Sequence, residues 1–189
     1  ALLSVGAHRL AYATTFIATI LITRNYLTAP DDTGSGLALL GLVVAASGAG
    51  FVAAAVVTPA VTRRLGPQGW IVGCLVLAAA TELVLVATIS VPVAVASGFL
   101  LGLAAQGLKI SVDTIVQREV HDSFRGRVFV LYDAIYNAAF VGAAAAGVLV
   151  VPDDGYSRWL FIGIAAWYAA TALAYHRATG RVGTHPVGS

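Results

Sequence analysis

Six apolar runs, each close to the length of a bilayer-spanning helix, limit this chain more than any other feature. They occupy residues 10–27, 37–62, 70–90, 92–116, 128–151 and 159–175. A helix rises about 1.5 Å per residue, so roughly 20 apolar residues cross the ~30 Å hydrocarbon core. Inside lipid the backbone finds no water, and only helices or closed barrels satisfy its N–H and C=O groups. The runs lack the two-residue alternation of strands. The expected fold class is an all-α membrane protein of six transmembrane helices.

The breaks between the runs carry turn chemistry. Pro30, Asp31, Asp32, Gly34 and Gly36 end the first run, and Arg63-Arg64-Leu65-Gly66-Pro67 ends the second. Pro92 suits the first turn of the fourth helix. Pro152-Asp153-Asp154-Gly155 separates the last two runs. The longest charged segment, from Gln117 to Arg127, is expected to be a loop. The Gly-rich tail, residues 179–189, is expected to be disordered.

Only 11% of the 189 residues are charged, against about 25% in a soluble domain. With a mean hydropathy of +0.86, the outer surface must face lipid. Arginine sets the orientation. One side collects Arg9, Arg63, Arg64, Arg118, Arg125, Arg127, Arg177 and Arg181; the other has Arg24 and Arg158 beside Asp31, Asp32, Asp153 and Asp154. The first side is expected to be cytoplasmic, with both termini there. Tyr26, Tyr156, Trp159 and Trp70 fall where interfacial aromatics belong.

Several classes drop out. No contiguous basic face suggests nucleic acid. The single cysteine, Cys74, lies in an apolar run and excludes a disulfide framework. No zinc-protease, nucleotide-binding, serine-hydrolase or Cys/His pattern is present, so neither enzyme activity nor a metal or cofactor is expected. His8, His121, His176 and His185 are read at membrane edges or in the tail. The chain starts at Ala1 and contains no methionine, which reads as a piece of something longer.

Ionisable residues within the runs are the chemical candidates, because each costs about 2.5–3.5 kcal/mol to insert near the bilayer centre. They are Glu82, Lys109, Asp113 and Asp133. In the fourth run, Gly98, Gly102, Gln106, Lys109, Asp113 and Gln117 recur at spacings of three and four, so they share one face. That face either lines a cavity or packs tightly with Lys109 and Asp113 neutralising each other. Gly98 and Gly102 form a GxxxG that admits another helix closely. Tyr12, Thr15, Thr19 and Thr23 make a similar stripe on the first helix, where threonines also bond their own backbone. The small residues from Gly41 to Gly50 favour close packing. Asn137 lies one turn beyond Asp133 in the fifth run.

The stretch from Asp113 to Gln117, then Asp122-Ser-Phe-Arg125-Gly126-Arg127-Val128, resembles the loop between the tenth and eleventh helices of major facilitator superfamily efflux permeases. Thr58-Pro59 through Arg63-Arg64-Leu65-Gly66 is similar to the degenerate second copy of that family's loop signature, without its acidic residue. The resemblance implies the C-terminal half of a twelve-helix transporter, built as a 3+3 inverted repeat, whose partner is the missing N-terminal six-helix half. It implies a substrate pathway along Tyr12, Thr15, Thr19, Gln106, Lys109 and Asn137. Proton coupling falls to Asp113 and Asp133, and a cytoplasmic gate to Arg63, Arg64, Arg125 and Arg127. Glu82 falls on a peripheral helix, protonated or paired across helices. The expected function is proton-coupled export of a small amphipathic compound across the cell membrane; uptake, or a non-transporting scaffold of the same fold, are the alternatives.

Overall fold

The computed structural model describes residues 2–29, 31–119 and 122–182. All secondary structure among them is helical. Helix α1 spans Leu2–Leu21 and continues as one widened turn, Ile22–Tyr26. It therefore starts a full two turns before the apolar run at residue 10. His8 and Arg9, expected at a membrane edge, lie within it.

Helix α2 spans Thr33–Ala87. Fifty-five helical residues would reach about 80 Å if straight, far beyond a bilayer. Gly66 breaks it with φ 72° and ψ 164°. The left-handed φ suits glycine, and Pro67 follows as the first residue of the next arm, where it needs no N–H partner. The arms, α2a (33–65) and α2b (67–87), fold back on each other. The Trp70 indole N–H donates to the Thr58 hydroxyl at 3.0 Å across the hairpin. At the opposite end, Asp32 caps α2a by accepting from the Ser35 N–H at 3.0 Å. Hydrogen bonding from the Ser35 side chain, and then from its backbone N–H, holds the Asp32 carboxyl below the usual carboxylate range.

Helix α3 spans Val91–Glu119, α4 Asp122–Val150 and α5 Arg158–Val182. The segment from Gln117 to Arg127 is thus not the open loop expected. Gln117, Arg118 and Glu119 continue α3, and α4 already runs from Asp122. Apolar-run reading stops at the first charge, whereas Gln, Arg and Glu are good helix formers that extend a helix into water. Helix α5 also runs past the expected tail start at Thr179; residues 183–189 and His121 lie outside the described residues.

Paired contacts give the helix directions. Gly6 meets Ile135, and Gly147 meets Ile17, so α1 and α4 run parallel. Gly98 meets Val43 and Gly107 meets Thr58, so α2a and α3 run parallel. Tyr12 reaches Ser47, while Gly36 sits against Arg24, so α1 and α2a are antiparallel. Each span reverses the one before. The core joins α2b, α3, α5 and α1 through Leu75, Ala104, Leu108, Val112 and Tyr168, with exposures of 0%, and Val5 at 1%. The outer surface is apolar: Leu149, Val56 and Val130 are 87%, 74% and 72% exposed.

Lipid tails are as apolar as leucine, so close packing rather than hydrophobic burial joins the helices. The GxxxG works in this way. A Cβ on Gly102 would fall into the Ser47 carbonyl, one on Gly98 into that of Val43, and one on Gly50 into the backbone at Phe99 and Leu103. Helices α2a and α3 touch backbone to backbone.

Candidate functional site

A cavity of about 230 Å³ opens between α1, α2a and α3. Helix α1 supplies its polar wall. Tyr12, Thr15, Phe16 and Thr19 recur at three- and four-residue spacings and face it together. Val43, Phe51 and Leu101 make the opposite, apolar wall. The Tyr12 hydroxyl is 3.0 Å from Oγ of Ser47, tying that wall to α2a. Thr19 donates to the Thr15 carbonyl at 2.8 Å, the backbone bond that a helical threonine often makes. The site is suited to an apolar body carrying a few polar groups.

The remaining pathway candidates sit elsewhere. Lys109 lies about 12 Å along α3 from Leu101. Its ammonium donates to Oδ2 of Asp113 at 2.8 Å, with the side chains 32% and 26% exposed. The other oxygen, Oδ1 of Asp113, is buried with no hydrogen-bond partner among the described residues. Gln106 is half-buried one turn before Lys109. On α4, Asp133 and Asn137 are exposed, and the Asn137 amide donates to the Asp133 carbonyl at 2.8 Å. Neither lines the cavity. Arg63 and Arg64 are exposed at the end of α2a, and Arg127 is exposed on α4. Among the described residues none of these three forms an ion pair; the side chain of Arg125 lies outside them.

Two features were not read from the sequence. Arg9 lies on the faces of Tyr136 and Phe140, with Cζ 4.3 Å from each ring centroid, and clamps α1 to α4. His8 is 3% exposed, and its ring lies tilted against that of Tyr168 with centroids 5.4 Å apart. Extending the Tyr12–Thr19 stripe one turn back would have placed both residues inside the helix. Glu82 is completely buried, and the Thr15 hydroxyl lies 2.7 Å from its Oε1.

The family model of the Major Facilitator Superfamily matches residues 5–186. The chain belongs to the major facilitator superfamily. Proteins described as uncharacterised MFS-type transporters, from Mycobacterium bovis and Mycobacterium tuberculosis, are each 35% identical to it over 183 residues. The match covers 97% of this chain but 40% of each relative. No solved structure matches. As an MFS chain this is a helical membrane protein of a transporter family, and the six alternating helices among the described residues correspond to a half-transporter. The small-residue contacts of α2a with α3 and the hydroxyl stripe of α1 then lie within one six-helix unit.

Proposed function

We propose that the chain is one half of a secondary transporter that exports a small amphipathic compound by alternating access, driven by protons. The observation that carries this reading is the cavity on α1, with three hydroxyl side chains facing apolar walls in an MFS chain. The partner is a second six-helix unit. It covers the exposed α4 face that bears Asp133 and Asn137, and its approach completes the cavity. Positive-inside placement puts both termini in the cytoplasm, in the cell membrane.

In this reading Gln106 and Lys109 continue the pathway from Tyr12, Thr15 and Thr19 toward the cytoplasm. Asp113 is the coupling acid. One of its oxygens is held by Lys109 and the other has no partner among the described residues, so a proton or a substrate cation can compete for it without dismantling the helix. Asp133 is a reserve acid at the inter-half face. Arg63, Arg64, Arg125 and Arg127 pair with acids of the other half when the cytoplasmic side closes.

The test uses the complete transporter in lipid vesicles, with the amphipathic dye ethidium as the probe. A pH gradient is expected to drive dye uphill, and its reversal to reverse the flux. Asp113→Asn is expected to keep dye exchange but lose uphill movement. Absence of any gradient-dependent flux would instead favour a non-transporting scaffold. Flux only with proton symport geometry would make it an uptake permease.

A further inference from the structure

Glu82 stands outside the cavity, on α2b, yet it is joined to the cavity wall by one atom. Oγ1 of Thr15 lies 2.7 Å from Oε1 of Glu82 and 3.2 Å from the carbonyl oxygen of Ala11. If Glu82 is ionised, both neighbours are acceptors, and the hydroxyl has one hydrogen to give. A protonated carboxyl removes the conflict. Its O–H donates to Thr15, and Thr15 donates to Ala11. The second oxygen, Oε2, is buried with no partner among the described residues. An unpaired carbonyl oxygen of a neutral acid is tolerable there; an unpaired carboxylate oxygen is a buried charge without compensation.

Among the described residues no cation offers that compensation, and Glu82 forms no ion pair. Tyr168 from α5 interacts electrostatically with it, and behind Tyr168 lie Tyr12 and His8 from α1. On α3, Lys109 is engaged with Asp113.

We infer that Glu82 is a proton-binding site that senses the cavity through Thr15. On uptake, a proton from water forms an O–H bond at Oε1, and the Thr15 hydrogen turns toward Ala11. On release the proton returns to water, and the Thr15 hydrogen turns to the carboxylate. Thr15 also lines the cavity, so a bound compound that engages its hydroxyl changes the proton affinity of Glu82, and the proton changes the affinity for the compound. This link serves transport only if the reading above holds; the proton site itself does not depend on it. It is separate from the Lys109–Asp113 pair, which lies on a different helix.

Infrared spectroscopy of the complete transporter in lipid at neutral pH tests the inference. The wild type is expected to show a carboxylic-acid C=O band that shifts in heavy water. Glu82→Gln, which keeps shape and a donor, is expected to lose it; Asp113→Asn to retain it; Thr15→Val to shift it. A band that survives Glu82→Gln, or no band in the wild type, overturns the proton site. A band that ignores Thr15→Val overturns the link to the cavity. If Glu82→Gln fails to assemble, the remaining pair decides: a band moved by Thr15→Val and kept in Asp113→Asn supports Glu82, and any other pattern refutes it. A wild type with this band but no dye flux sinks the transport reading and leaves the site. Flux without the band does the reverse.

Discussion

Adding a single methyl group at Gly102 should separate two helices. A Cβ there would overlap the Ser47 carbonyl and crowd its Oγ. The obstacle is backbone, so no rotamer change relieves it. Helices α2a and α3 must move apart, losing the packing that joins helices in lipid. Overpacking of this kind costs about 1–3 kcal/mol. In a chain of this size each kcal/mol lowers the midpoint of thermal unfolding by roughly 2–4 °C. Ser47 also holds Tyr12 at 3.0 Å, so the cavity wall should shift as well. The control lies on α2a. A Cβ at Gly41 would meet nothing within 4 Å, and Gly→Ala in a helix interior is worth roughly 0.5–1 kcal/mol in favour of alanine. Thermal unfolding of the complete protein in detergent, followed by tryptophan fluorescence, should therefore move down for Gly102→Ala and level or up for Gly41→Ala. Equal midpoints for the two variants would refute the backbone-contact argument. Gly50→Ala, which meets Phe99 and Leu103, should behave as Gly102→Ala does.

Other perturbations are more local. In a Cys74→Ala background, cysteine at Ser123 should react with a membrane-impermeant thiol reagent only from the cytoplasm, and cysteine at Asp153 only from outside; the opposite pattern would invert the orientation. Arg125→Lys with Arg127→Lys keeps charge and insertion but loses the planar fork, so dye flux should fall at unchanged expression, and unaltered flux would leave the arginines a topological role alone. Arg9→Lys should loosen α4, read as faster hydrogen exchange in 122–150 and not in α3, because the ammonium stacks less well on Tyr136 and Phe140. Asp32 has its carboxyl lowered by Ser35, so its capping contribution is present above the ordinary carboxylate range and fades as pH falls through the lowered value; Asp32→Asn should flatten that acid limb of the stability profile.

Much of the helix plan was legible because lipid leaves the backbone few choices, and runs such as 37–62 carry no charge at all. The close α2a–α3 contact was legible from Gly98 and Gly102, whose spacing has a direct steric meaning. Helix ends were not. Hydropathy stops at Arg9 and Gln117, while the helix continues through both, since an arginine on two aromatic faces and a charged turn in water are both compatible with helix. The rings that receive Arg9 belong to α4, far along the chain, and nothing local announces them. The Tyr12–Thr15–Thr19 stripe was readable from its period. The position of Glu82 against Thr15 was not, because it depends on how the Gly66 hairpin sets the rotation of α2b. The sequence supplied both residues and no register between them.

That hairpin also decides where the chain can change length. An exposed, loosely tied loop absorbs an inserted residue, whereas the turn between these two arms is tight. Between α2a and α2b there is one non-helical residue, Gly66. An insertion between Thr58 and Trp70 has nowhere to go but into a helix, where it turns everything beyond it by about 100°. It would carry Trp70 away from Thr58 and Glu82 away from Thr15 together. Among descendants of this gene, the stretch from Thr58 to Glu82 should therefore drift in side chains and hold its residue count.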